Sequence, residues 1–433
     1  MNIISIIQNK KNKLALTKEE IEYFVNGYVK RNTITNYQAA SLLMAINIIG
    51  LNEDETYYLT KAYLESGETI DFKETKGVII DKHSTGGVGD KVSLILGPIC
   101  AACGIKVAKI SGKGLGHTGG TIDKLASIGV NTDLQIPECK KLLNSVGMFI
   151  TSQTKNITPA DKKIYALRNA TCTVNSIPLI AASIVSKKLA LATDFVFLDV
   201  KVGSGSFTKT LSEAIELSEL MMKLFKRFNR KAIIHITDMN QPLGTSVGNA
   251  IEVKEAINFL NGNFENQHLK QLIFDFMIDI LTATGKAKTR SQAEKKVNEV
   301  IRNKSAIKAF IDWAVAQGAS RKPLQNNNFF KPKYQYEIKA TSSGYLKYNS
   351  TKEIGLISLA LGAGRLKKAG KIDYQAGILL SKPTNAKVEK NETVAILYSS
   401  KPIKVEAIND FYKNMSISPK KEKDIPPVLK VIA

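Results

Sequence analysis

The sequence predicts a multidomain α/β protein. A helical domain, a larger α/β domain with a central mixed or parallel sheet, and a small C-terminal α+β domain are expected. Three observations carry this. The first 66 residues show apolar residues at helical spacing, with stop signals between the helices. From Gly77 onward, short strand-like apolar segments alternate with helical ones, as parallel sheets require. After Gln325 a Lys/Pro-rich stretch leads into strand-rich sequence with turn signals at 342–344 and 362–364.

The elements follow in order. Thr17 with Glu20 makes a capping box for a helix to about residue 30. Residues 36–49 form a second helix stopped by Gly50, and residues 52–66 a third stopped by Gly67. Residues 77–80 read as a strand, 92–102 as an apolar helix, and 106–110 as the next strand. Alternation continues to about residue 154, and 159–188 returns to helix. Residues 195–200 and 232–236 read as buried strands around a helix over 211–228, and helices follow to about 317. The order helix, α/β, helix, α/β implies a discontinuous domain. Residues 1–66 and 159–190 pack as one helical unit, 70–155 and 192–325 form the α/β domain, and 334–433 form the third. Closure is expected about segments near 67–70, 155–158 and 189–191, and ligand sites favour such interfaces.

Composition narrows the function. The chain has 433 residues and a formal net charge of +22. The lysines are scattered, arginines are few and aromatics make up 7%, so the charge reads as solvated lysine faces and no nucleic-acid partner is expected. No apolar run approaches the roughly 20 residues of a membrane span, and the short apolar patch at the N-terminus precedes its lysines. The expected place is the cytoplasm, with no membrane partner. Cys100 and Cys103 form a lone CxxC in an apolar helix, Cys139 and Cys172 stand alone, and histidines number four, so a metal-hydrolase centre is not expected.

The most informative stretch spans residues 81–124. DKHSTGGVGD (81–90) and SGKGLGHTGGT (111–121) are two glycine-rich loops at the ends of adjacent expected strands. Glycines let backbone N–H groups approach an anion, while lysines and hydroxyls add charge and donors. Two such loops converge on one phosphate-sized anion at the sheet's carboxyl edge. The pattern is neither a Walker A loop nor GxGxxG, so neither ATP nor NAD follows.

These motifs, with PADKKIYALR (159–168), SIPLIAASIVSKK (176–188), LDVKVGSG (198–205), QPLG (241–244) and VGNA (247–250), resemble the thymidine and pyrimidine-nucleoside phosphorylases. The resemblance weakens after about residue 325. Lys113 stands where the family has Arg, Ala126 where Glu is usual, and Asn169 where Asp is common.

The resemblance implies phosphorolysis of pyrimidine nucleosides (uridine, thymidine, deoxyuridine) to free base and (deoxy)ribose 1-phosphate. Inorganic phosphate is the co-substrate, no organic cofactor is needed, and a homodimer contacts through N-terminal helices. It places Lys82, Ser84, Ser93, Lys109, Ser111 and Thr121 around phosphate. His83 faces the pyrimidine O2 as donor or general acid. Leu115, Arg168, Ser183 and Lys187 hold the base. Ser183 and Lys187, four apart, share one helix face, and Lys188 is read as solvated. His117 stays outside the catalytic set. A narrow thymidine phosphorylase is the runner-up. A phosphoribosyltransferase of related fold, needing acidic Mg²⁺ ligands, and a nucleic-acid binder rank below.

The resemblance also carries a potassium site, at matched positions Gly89, Leu243, Ser246 and Glu255. Lys91 stands where potassium-binding members have Thr. Three readings stay open: a cation held by carbonyls and Glu255, a Lys91 ammonium that replaces it, or a Lys91 pointing to solvent.

Overall fold

The computed structural model describes residues 1–114, 116–153, 156–365 and 370–433. Four helices open the chain: Ile3–Lys11, Lys18–Val29, Asn36–Ile49 and Glu53–Leu64. The box at Thr17 forms, with Glu20 N–H donating to the Thr17 hydroxyl and Thr17 N–H to the Glu20 carboxylate. Gly50, at φ 86°, ends the third helix. The apolar faces of these helices form one cluster that also takes in Ala160, Ile164, Leu179 and Ala182. Those four come from the helices Pro159–Ala170 and Ile177–Leu189.

The central sheet has five parallel strands: β1 (Ile79–Ser84), β2 (Lys106–Ser111), β3 (Met148–Ser152), β4 (Phe195–Val202) and β5 (Lys231–Asp238). Their spatial order is β5-β4-β1-β2-β3, so β1 lies at the centre. β1 extends past the expected end at residue 80. Asp81 to Ser84 pair in register with Val196 to Asp199 of β4, so the start of the first motif is strand and the loop begins after it. The second glycine loop leaves β2 next door.

A closing strand, Val428–Ile432, pairs antiparallel with β5 and makes the sheet mixed. The sequence reading had grouped these residues with the third unit. The hydrogen bonds instead put them on the β5 edge, where Leu429 and Ile432 pack on the apolar cluster between the sheet and the helix Leu211–Arg227. Pairing an exposed parallel edge removes a row of free backbone groups. Between Tyr334 and Ser418 lie a three-stranded and a four-stranded antiparallel sheet. The latter borrows Ser246–Gly248 as an edge.

A chain ending at Pro427 loses this edge pairing. At about 1 kcal/mol net per backbone hydrogen bond, plus the lost apolar contacts, it should unfold about 2–5 kcal/mol more easily and aggregate. An unchanged denaturation midpoint would show that the strand contributes little.

Candidate active site

Side chains alternate along β1, and its charged residues therefore go to different faces. Asp81 is fully buried and meets the Lys188 ammonium at 2.8 Å. Lys188 also donates to the Ile110 carbonyl at 3.3 Å. The expectation of a solvated Lys188 is overturned: the residue is 1% exposed, because the helix Ile177–Leu189 turns that face onto the sheet. Lys82 reaches Asp199 of β4 at 3.0 Å. Asp199 also takes Lys201 at 2.9 Å and the Thr237 hydroxyl at 2.6 Å. Ser84 donates to Asp90 at 2.5 Å and accepts the Gly86 N–H at 3.2 Å, folding the first loop on itself.

Beyond the strand ends lies a cleft of about 500 Å³. His83, Ser84, Lys109, Ser111, Thr121, Arg168, Ser183 and Lys187 all line it. Lys82 and Ser93 are buried and are not among the lining residues, Ser93 being the second residue of the helix Val92–Ala102. Leu115 lies outside the described residues, as does Lys155 of one expected hinge. Lys109 Nζ donates to the Lys82 carbonyl at 2.5 Å.

On the opposite wall, Arg168 spends three of its N–H groups on the carbonyls of Thr173, Val174 and Leu179, at 2.8–3.1 Å. It thereby fixes the turn between the helices Pro159–Ala170 and Ile177–Leu189, and two of the five guanidinium N–H groups remain. Lys187 donates to Ser183 at 2.8 Å, as the four-residue spacing implies, and to Asp161 at 2.7 Å. Asp161 is buried and was missed by sequence reasoning, although it stands inside a quoted motif. Tyr165 and Phe207 also line the cleft and carried no sequence signal beyond being aromatic.

Lys91 settles at the proposed cation position. Its buried ammonium lies 2.6 Å from the Leu243 carbonyl, 3.0 Å from the Ser246 carbonyl and 2.9 Å from Glu255. Glu255 further accepts the N–H groups of Thr245 and Ser246. The Gly89 carbonyl accepts Lys91's own backbone N–H. A Cβ on Gly244 would fall 2.7 Å from the ammonium, so only glycine, at φ +85°, fits beside it. The expected potassium ligands are thus taken by a lysine, and a potassium ion does not fit among them.

The site is crowded with positive charge. Burial, then the charges of Lys188, Lys109, Lys187 and Lys82, hold the His83 imidazole well below its ordinary range. Burial pushes the other way for Asp90, but Lys82, Lys201 and Lys124 outweigh it and hold that carboxyl well below the usual carboxylate range. Burial and then Lys188 push Lys109 down to about 7.

Lys109 is therefore partly neutral in the ligand-free protein at pH 7–8, and an anion in the cleft restores its charge. Sulfate, which does not titrate there, should bind more weakly as pH rises through about 7 and should take up a proton on binding at pH 8. Calorimetry in buffers of different ionisation enthalpy measures this. Lys109→Met should abolish the uptake, and uptake that survives the substitution would place the titrating group elsewhere.

Known proteins resemble this chain over three regions. Residues 4–67 match the glycosyl transferase family helical bundle domain, 76–307 the glycosyl transferase family a/b domain, and 345–418 the pyrimidine nucleoside phosphorylase C-terminal domain. The chain is 49% identical over 420 residues to the thymidine phosphorylase of Mycoplasmoides pirum, covering 96% of this chain and 100% of that one. It is 43% identical over 420 residues to the pyrimidine-nucleoside phosphorylase of Bacillus subtilis, covering 96% of each. The crystal structure of anthranilate phosphoribosyltransferase from Thermus thermophilus shares the fold, at a TM-score of 0.57 and 15% identity over 72% of this chain and 99% of that one. With its three matched regions and near full-length similarity, the chain belongs to the thymidine and pyrimidine-nucleoside phosphorylase family.

Proposed function

We propose that this protein phosphorolyses pyrimidine nucleosides, taking uridine, thymidine and deoxyuridine to free base and (deoxy)ribose 1-phosphate. The carrying observation is the chemistry of the two cleft walls. Ser84, Lys109, Ser111 and Thr121 stand at the glycine loops on one side. Arg168, Ser183 and Lys187 stand on the other, and His83 sits at the end of the central strand.

On this reading a phosphate oxygen attacks the sugar's anomeric carbon while the bond to the ring nitrogen breaks. The bonding pair passes to the pyrimidine and spreads to its carbonyl oxygens. Lys187, fixed by Asp161, and the free N–H groups of Arg168 meet that developing charge. His83, held neutral, donates a hydrogen bond rather than acting as an imidazolium acid. Lys82 braces the phosphate side, its carbonyl accepting the Lys109 ammonium.

Narrow specificity for thymidine is the second reading, since relatives carry both names. A phosphoribosyltransferase is disfavoured because Asp90, Asp123 and Asp199 are already engaged by Ser84, Arg365 and lysines. Among the described residues no helix is long and apolar enough to cross a membrane. The proposal includes a cytoplasmic homodimer, supported by exposed Ile4, Met44 and Ile48 on the first and third helices, where a second copy would sit. It also divides the chain into 1–66 with 159–190, 70–155 with 192–325, and 334–427, leaving the closing strand to the sheet.

The deciding assay follows release of free base from each of the three nucleosides with phosphate. Lys187→Ala should lower kcat/KM about 10²–10³-fold while the protein stays folded. Near-normal turnover would remove Lys187 from the site.

The proposal also makes Lys91 the resident substitute for potassium. Activity should be indifferent to replacing potassium by a bulky organic cation at fixed ionic strength, and Lys91→Thr should create potassium dependence. Strong potassium activation of the unaltered protein would contradict this.

A further inference from the structure

The cleft is built from the helical and α/β parts, yet one of its loops is also held from the third unit. Arg365 follows the helix Thr351–Ser358 and the irregular turn Leu359–Ala363. Its guanidinium lies 2.8 Å from Asp123 Oδ1. The other oxygen of that carboxylate accepts the Gly114 N–H at 2.7 Å. Gly114 belongs to the second glycine loop, and Gly112, Gly114, Gly119 and Gly120 all line the cleft between Ser111 and Thr121.

The loop is tightly folded here. A Cβ on Gly120 would fall 2.0 Å from the Gly114 nitrogen. Its path therefore depends on which group holds Gly114, and that group is Asp123.

The arginine is presented by a built support. Asn249 donates to the Ala363 carbonyl at 2.6 Å, Asp373 N–H to Gly362 at 2.9 Å, and Ser399 to Leu361 at 3.1 Å. Gly362 takes φ +115°, a conformation open to glycine, beside Asp373.

Asp123 is nearly buried and Arg365 about one-fifth exposed. Without the guanidinium, an uncompensated carboxylate would stand behind an anion-binding loop. It would repel phosphate and be free to release Gly114.

We propose that Arg365 is a positioning residue for phosphate, contributed by the C-terminal unit and acting through Asp123 on the second glycine loop. This rests on the reading of that loop as the phosphate site. It also gives the C-terminal unit an indirect part in phosphate binding.

The experiment compares KM for phosphate, KM for nucleoside and kcat in the unaltered enzyme, Arg365→Gln, Arg365→Lys and Ser111→Ala, with thermal midpoints measured with and without phosphate. Arg365→Gln should raise KM for phosphate about three- to tenfold, with KM for nucleoside little moved and the phosphate-induced rise in midpoint reduced. Arg365→Lys should recover part of the loss, since it restores the charge without the fork. An unchanged phosphate KM in Arg365→Gln, beside a raised one in Ser111→Ala, would overturn the role of Arg365 and leave the phosphate site standing. A fall in kcat and midpoint with phosphate KM unmoved would also overturn it, as the mark of a merely structural contact. If Ser111→Ala too leaves phosphate KM unmoved, the phosphate site is misplaced and the inference falls with it.

Discussion

A buried ammonium group must have a partner, and in this protein that constraint organises the site. Lys82, Lys91, Lys124, Lys188 and Lys201 are all nearly inaccessible and all gather around the two glycine loops. Removing such charges from water is costly, and the cost is offset only by close, well-directed acceptors. Each lysine therefore fixes a neighbour. Lys188 fixes the helix Ile177–Leu189 to β1, and Lys82 ties β1 to β4 through Asp199, which Lys201 of β4 also neutralises. Lys124 holds the Asp90 carbonyl and Glu252, and Lys91 holds Leu243, Ser246 and Glu255. The charges beneath the loops are thus tied to named partners on the sheet and its helices.

The same arrangement explains how two structural units share one cleft. The Asp81–Lys188 pair lies two residues from His83 on the strand and one from Lys187 on the helix. Both neighbours point into the cleft. An ion pair buried between sheet and helix thus sets the distance across which nucleoside and phosphate would meet. Asp161 and Arg168 do the same locally, one aiming Lys187 and the other shaping the turn that leads into its helix.

Much of this was legible in the sequence. Caps such as Thr17 with Glu20 and stops such as Gly50 act locally, so the helices they bound were readable. Eight of the expected site residues line the cleft, because glycine loops at parallel strand ends constrain where their hydroxyls and lysines go. Long-range partners were less readable. Nothing near Lys188 shows that Asp81, 107 residues earlier, will bury it. The net charge of +22 made a solvated reading natural, and tertiary packing overrode it. The closing strand was misgrouped because its partner β5 lies far back in the chain. Arg365 and Asp161 escaped notice for the same reason: each acts through a group that only the fold brings near.

The claim that the Asp81–Lys188 pair holds the two walls in register is tested most directly by a double-mutant cycle. Asp81→Asn, Lys188→Met and the double variant would be compared for unfolding free energy and for phosphorolysis. Each single change should cost about 3–5 kcal/mol by stranding a buried charge, and the double variant should recover a large part of that stability. It should not recover turnover, because the pin between strand and helix is gone. Additive losses in stability, or a double variant of full activity, would contradict the account.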